Sequence, residues 1–288
     1  MATARKMALE PGRARRRRSV EKAPPAPPPS PARVSGHPRR GKRWYGYGLP
    51  YLKLGALPGH LIVIEGTDGV GRSTQIELLR SWLEVDGHAV SNTGWARSPL
   101  LSETINEAKA GHELNVMTFS LLYAADFADR LEHQIIPALR AGFIVIADRY
   151  MYTVFARNTV IGADPAWTRQ LFGVALVPDL VLYLEVDVEH LVPRVLAGKG
   201  MDYWESGMHL ALGTDIFDSF ERYQRLLIGE YDRLADEFGF VRVDARRGIE
   251  DVQGDLRTHI AEYLARARSS APAAGGPSVQ GLPAPRSG

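Results

Sequence analysis

The chain has 288 residues, 45% of them hydrophobic, which is enough for one domain of ordinary size with a substantial core. It contains no cysteine, which excludes disulfides, thiolate metal sites and cysteine nucleophiles and suits a reducing cytoplasm. The net charge of +2 conceals an asymmetry: residues 1–43 carry 13 Lys/Arg against 2 Asp/Glu, and the remainder 22 against 31.

The basic stretch holds "RARRRR" (Arg13 to Arg18) and then "APPAPPPSPA". Too little apolar material is present to offset the entropy of ordering, so residues 1–43 are expected to form a disordered basic, proline-rich tail. Such a tail could hold nucleic acid or an anionic surface, but a merely solvated extension is the reading we favour. It lacks the apolar core of a secretory signal, and its proline run and few serines fit an organelle transit peptide poorly. No apolar run reaches the ~18 residues that a membrane span needs. The aromatic, glycine-rich stretch Trp44 to Gly59 is expected to pack irregularly before the first strand. A single domain is expected over residues 44–267, followed by a second disordered tail over 268–288.

Within the domain, strands and helices alternate. "HLIVIEG" reads as a buried strand, and "STQIELLRSWLEVDG" as a helix ending at a left-handed Gly87. "HAVSNTG" reads as a second strand, "LLSETINEAKAG" as a helix, and residues 113–142 as one or two long helices. "FIVIADRY" is a strand with polar residues at its carboxyl end. "DPAWTRQLFGVAL" is a helix with Asp164 as N-cap and Pro165 in its first turn. "DLVLYLEVD" is a strand and "VEHLVPRVLAG" a helix. Residues 215–239 form a long amphipathic helix, "FVRVDA" a last strand, and residues 249–267 a closing helix. Five short apolar strands separated by helices imply a parallel sheet covered on both faces, in an α/β fold. Ligands then gather at the carboxyl ends of the strands.

The first strand leads into "EGTDGVGRSTQ", a phosphate-binding loop of the form G-x-x-x-x-G-K-[ST] with Arg72 in place of lysine. Gly66, Thr67, Asp68, Gly69, Val70, Gly71, Arg72, Ser73 and Thr74 are the candidate ATP-binding residues. The glycines let amide N–H groups turn toward phosphate oxygens, and the helix N-terminus adds about half a positive charge. Ser73 is placed to ligate Mg²⁺. Arg72 keeps the charge but is bulkier and planar, so nucleotide binding survives while turnover depends on where the guanidinium sits. A hundredfold rate loss needs only about 2.7 kcal/mol. No H-x-x-x-H or H-E-x-x-H spacing occurs, so no zinc site is proposed.

The loop, then "RSP" (Arg97 to Pro99), "LLYAAD", "ADRY" and "PDLVLYLEVD", in that order, resemble thymidylate (dTMP) kinase, a P-loop nucleoside monophosphate kinase, over residues 60–265. The resemblance implies a three-layer P-loop kinase fold with a short lid. It implies ATP- and Mg²⁺-dependent phosphoryl transfer to a nucleoside monophosphate, most simply dTMP to dTDP. In that family Asp68 would reach the sugar 3′-hydroxyl of the substrate, Arg97 would hold the acceptor phosphate, and Tyr123 would stack on the base. Asp148 would act on Mg²⁺, and Arg149 would bridge the phosphates of both nucleotides. Arg72, Asp148 and Arg149 are thus the catalytic candidates, with Ser73 and Asp148 the metal pair. "AGKGMDYWESG" resembles the lid, with Lys199 as a phosphate contact on the ATP side. A homodimer through the helices around residues 100–140 is implied by resemblance alone.

The departures are specific. Phe127 stands where the family has an arginine, with Arg130, about one helical turn on, as the candidate replacement. Arg157 puts a cation where an aromatic would line the substrate pocket, and Tyr203 and Trp204 stand beside the lid acid Glu205. With Arg72, these leave two alternatives: a kinase of another nucleotide or phosphorylated acceptor, or a nucleotide-binding protein with weakened catalysis.

Overall fold

The structure is a computed structural model that describes residues 41–111 and 115–270. Residues 1–40 and 271–288 of the expected tails lie outside the described residues. The sheet is five-stranded and parallel throughout, in the order β2-β3-β1-β4-β5. Its strands are β1 (His60–Glu65), β2 (Val90–Gly94), β3 (Ile144–Asp148), β4 (Leu180–Glu185) and β5 (Val241–Asp244). Residues of β1 alternate between two cores. Leu61 and Val63 face one, Ile62 and Ile64 the other, and all four are fully buried. This double burial is why the strand reads as an unbroken apolar run rather than as an alternation.

One face carries α1 (Arg72–Val85), α7 (Val188–Ala197) and α9 (Ile249–Ser270). Helix α1 buries Ile76, Leu79 and Leu83, spaced three and four residues apart, and closes through Gly87 at φ 85° as expected. The other face carries α3 (Val116–Arg130), α4 (Ile136–Arg140), α5 (Met151–Val160) and α8 (Ile216–Phe238). Helix α2 (Ser102–Gly111) precedes α3, and a π-helical turn over Leu131–Ile135 joins α3 to α4 just before Pro137, which has no N–H to donate. Helix α6 (Pro165–Leu171) starts on Asp164, whose Oδ1 accepts from the N–H groups of Ala166 (2.6 Å) and Trp167 (3.0 Å).

Two elements depart from the sequence reading. Helix α5 was not anticipated, because Met151 through Ala156 are all buried and no polar face marks the helical period. Helix α6 stops at Leu171, short of the expected Leu176; Phe172, Ala175 and Leu176 turn inward instead. There the segment before β1 docks as a strap. Trp44 bridges Leu176, the Tyr45 N–H donates to Ala175 O at 2.7 Å, and the Val177 N–H donates to Arg43 O at 2.9 Å. Lys42 pairs with Asp179, whose Oδ2 also accepts the Leu61 N–H at 2.7 Å. Lys42 and Arg43, expected in the disordered tail, and Trp44 and Tyr45, expected to pack irregularly, therefore tie into the edge of the core.

Candidate active site

The carboxyl ends of β1, β2 and β3 open onto one cavity of about 670 Å³, within the usual range for a small-molecule site. The phosphate loop runs from β1 into α1 with left-handed backbone at Gly69 (φ 81°), where a side chain would run into Val195. Arg72 opens α1 and folds back across the loop. Its Nη1 donates to Gly66 O at 2.6 Å and to Thr67 O, and its Nε donates to Asp148 Oδ1 at 2.9 Å. The guanidinium thus braces the loop and reaches the end of β3 at once, through separate nitrogens of one planar fork. Arg97 approaches the other oxygen of Asp148, with Nη2 3.6 Å from Oδ2. Ser73 lines the same end of the cavity.

Asp68, inside the loop, is gripped by arginines. Arg149 pairs with its Oδ1 and Arg157 with its Oδ2, and Arg72 Nη2 lies 3.9 Å away. Burial alone would push the Asp68 carboxyl up; Arg149, Arg157 and Arg72 outweigh that and hold it well below the usual carboxylate range. Burial likewise opposes the charge on Arg149 and Arg157, and Asp68 more than restores it. Arg149 keeps one buried donor, Nε, without a hydrogen-bond partner. Across the cavity, burial raises the Glu205 carboxyl, helped by repulsion from Asp68 and opposed by Arg149, Arg157 and Lys199.

The opposite end is aromatic. Tyr123 on α3 makes edge contacts with Phe119 (4.8 Å) and Trp95 (5.3 Å), and Lys109 Nζ lies 5.8 Å from its ring. The segment after α7 closes over this wall. Trp204 stacks on Phe119 with centroids 5.4 Å apart and planes 10° apart, and its Nε1 donates to Lys109 O at 2.9 Å. The segment is held from behind by Gln224, whose Nε2 donates to Glu205 O at 2.8 Å, and by Ser219, whose hydroxyl donates to Ser206 O at 2.7 Å.

Arg130, the candidate replacement for the missing arginine, does not face the cavity. Phe127 is fully buried against Trp95, Tyr150 and Phe172. Arg130 is buried too, and it does not line the cavity. Its Nε donates to Asp126 Oδ2 and its Nη1 to Thr93 Oγ1, both at 2.9 Å. Asp126 also accepts the N–H groups of Ala96 (3.2 Å) and Ser98 (3.0 Å). The pair therefore shapes the turn that carries Arg97, with Ala96 held at φ 55°.

Of the residues singled out from sequence, Asp68, Arg72, Ser73, Arg97, Tyr123, Asp148, Arg149, Arg157 and Lys199 all line this cavity. Gly66, Thr67, Gly69, Val70, Gly71 and Thr74 are not in its lining and form the turn and first helical residues beside it. Sequence reasoning missed Trp95, Phe119 and Lys109 as lining residues. Phe119 and Tyr123 do show an i, i+4 aromatic pair, a signal equally consistent with a core face. Among the described residues no cluster of three or more His, Cys, Asp or Glu could hold a metal by protein ligands alone, and no helix is long and apolar enough to cross a membrane.

Comparison with known proteins gives a consistent result. The family model for thymidylate kinase matches residues 64–256. "Probable thymidylate kinase 2" of Saccharolobus solfataricus is 37% identical over 208 residues, covering 72% of this chain and 97% of that protein. "Probable thymidylate kinase" of Thermococcus gammatolerans is 33% identical over 212 residues, covering 69% and 94%. "Thymidylate kinase" of Clavibacter michiganensis subsp. michiganensis is 34% identical over 222 residues, covering 74% and 100%.

Proposed function

The chain belongs to the thymidylate kinase family, and from that premise we propose that it transfers the γ-phosphoryl group of ATP to the 5′-phosphate of dTMP, giving dTDP and ADP. The observation that carries this reading is the convergence of Arg72, Arg97 and Arg149 with Asp148 at one end of a cavity whose other end is walled by Tyr123, Trp95 and Phe119. The first end suits phosphate groups and the second a base.

The acceptor is already an anionic phosphate, so no general base is required; the task is alignment and charge neutralisation. The phosphate loop, residues 66–74, would cradle the ATP phosphates with main-chain N–H groups. Arg72 and Arg149 would neutralise charge as the phosphoryl group moves. Arg97, half exposed at 53%, would hold the acceptor phosphate, and Lys199 would reach phosphate from the lid. Tyr123 offers the base a stacking face. Both Asp68 oxygens already meet arginines, but a carboxylate offers about four acceptor positions, which leaves room for a sugar hydroxyl. Arg157 would then border the sugar rather than the base.

Mg²⁺ fits the donor set. Ser73 and Asp148 supply a hydroxyl and a carboxylate at one end of the cavity, and this ion takes few protein oxygens and completes its shell with water and phosphate. Bound there, it would supply charge neutralisation on the ATP phosphates. A homodimer through α2 to α4 is part of the reading, supported by the exposed Leu100, Met117 and Leu121 and testable by light scattering. A cytoplasmic setting goes with its nucleotide substrates.

The test is release of ADP from ATP with dTMP, dUMP, dGMP, dCMP and dAMP, with and without a Mg²⁺ chelator. Preference for dTMP by about tenfold or more, worth about 1.4 kcal/mol, and loss of turnover on chelation are expected. Preferred turnover of another acceptor would displace dTMP, and no turnover at all would leave a nucleotide-binding protein without catalysis.

A further inference from the structure

The carboxylate of Glu65 lies outside the cavity lining, has no solvent exposure, and sits at the last position of β1, directly before the phosphate loop. Burying a carboxylate is costly unless it has partners, and both of its oxygens have them. The Tyr150 N–H donates to Oε1 at 2.8 Å, and the Thr153 hydroxyl donates to Oε2 at 2.8 Å. Thr153 Oγ1 also meets the Tyr231 hydroxyl on α8 at 2.9 Å. One side chain thus links the strand that feeds the phosphate loop to the first turn of α5.

The residue preceding Tyr150 is Arg149. Its N–H donates to Ile64 O at 3.0 Å, extending the β1–β3 ladder by one bond. The backbone then swings to φ 68°, a left-handed conformation that a non-glycine residue rarely adopts. That reversal sends the Arg149 guanidinium to Asp68. The next N–H, of Tyr150, is the one that Glu65 receives. Tyr150 is also the N-cap of α5 and its side chain makes no cap bond; the buried carboxylate satisfies the N-cap's own N–H, as the acid of a capping box does.

We propose that Glu65 is a positioning residue for phosphoryl transfer: by accepting the Tyr150 N–H and the Thr153 hydroxyl it holds Arg149 in its left-handed turn and locks the acceptor-side helix α5 to the phosphate loop. The proposal rests on the kinase reading for its catalytic consequence, but the geometry it describes exists without nucleotide. Burial raises the Glu65 carboxyl to about 7, against the bonds from Thr153 and Tyr150 and the charges of Arg72 and Arg149. The ionised and neutral forms therefore both occur near neutrality, and both must hold the turn. A glutamine can do the same: its oxygen accepts from Tyr150, and its amide donates to Thr153, which passes its own proton to Tyr231.

The test uses the full chain, with Glu65→Ala, Glu65→Gln and Thr153→Val. Two readouts are taken: steady-state kcat and KM, and hydrogen exchange at the Tyr150 amide without nucleotide. Glu65→Ala should lower kcat by about ten- to a hundredfold, leave KM for ATP within about threefold, and expose the Tyr150 amide to exchange. Glu65→Gln should return kcat to within about threefold of the parent and restore protection, because the amide keeps both hydrogen bonds; a fall in kcat at unchanged KM for ATP in Glu65→Ala is the outcome that a merely structural burial role does not predict. Thr153→Val, which keeps shape but loses the hydroxyl, should lower kcat and speed the same exchange to a smaller degree, and it carries the test if Glu65→Ala does not fold. Parental kcat and protection in Glu65→Ala, or a Gln variant as impaired as Ala, would overturn the proposal. If the parent shows no transfer to dTMP, the proposed function fails on its own, and the exchange readout still decides whether Glu65 holds the turn.

Discussion

In the proposed reaction Arg72 is the residue expected to govern turnover most directly, because it touches the loop carbonyls and Asp148 together. Arg72→Ala should cost about a hundredfold or more in kcat, the usual scale for losing one preorganised charge. Arg72→Lys keeps the charge but loses the fork, and a loss of about tenfold is expected; steady-state kinetics on both variants separates charge from geometry. Glu65 makes a second claim, on stability. Its folded carboxyl titrates at about 7, above its ordinary 4.5, so the native state binds more protons than the unfolded chain between those values. Stability contributed by this group is present below pH ~4.5, declines as pH rises to ~7 and is flat above, by about 3 kcal/mol in all. Denaturant melts at a series of pH values should show that decline in the parent and its loss in Glu65→Gln. Asp68, with a lowered folded value, works oppositely and loses its contribution only in acid below its ordinary 3.8. The loop was legible from its spacing after a strand, and Asp148 and Arg149 from their place at a strand's carboxyl end, whereas Arg97 was legible only through the family resemblance of "RSP". Glu65 was not, since its partner Tyr150 lies 85 positions away and a strand-ending acid looks the same with or without it.

At the level of elements, the periodic helices and the apolar strands could be read directly, whereas α5 could not, because its polar residues Thr153 and Asn158 are buried with its apolar ones and leave no exposed polar face to mark the period. The turn bearing Arg97 is built by α3, from which Asp126 receives two N–H groups and Arg130 at once. Breaking that pair leaves a fully buried guanidinium uncompensated. Asp126→Asn should therefore destabilise the fold by about 3–5 kcal/mol, measured by urea unfolding. The lid contact is different in kind, because it lies at the half-buried edge of the cavity. Trp204→Ala removes the Phe119 stack and the bond to Lys109 O; an acceptor KM raised about tenfold, or about 1.4 kcal/mol of binding, is expected with the melting temperature little changed.

Across the whole chain, basic charge is concentrated before residue 41. Residues 41–288 carry 24 Lys/Arg against 31 Asp/Glu, so a protein beginning at Gly41 should focus at acidic pH where the full chain is basic. It should keep its kcat, because the strap from Lys42 to Leu57 stays attached. Removing the strap as well takes away the Lys42–Asp179 pair, the buried Leu49 and the rings that Tyr45 sets against Phe155 and Phe238, and thermal unfolding should then begin at clearly lower temperature. The strap was visible in sequence only as an aromatic stretch without a period; its docking depends on carbonyls and amides of residues 173–177, which no pattern in the stretch itself announces.

The sandwich of Trp204 on Phe119 gives the protein a built-in optical gauge. An indole pressed against another ring emits at shorter wavelength than one bathed in water, so each opening of the cavity roof should redden the emission and each nucleotide that seals it should turn it blue. A Trp204→Phe chain supplies the background from the four remaining tryptophans, and stopped-flow traces against it would time how fast the roof shuts.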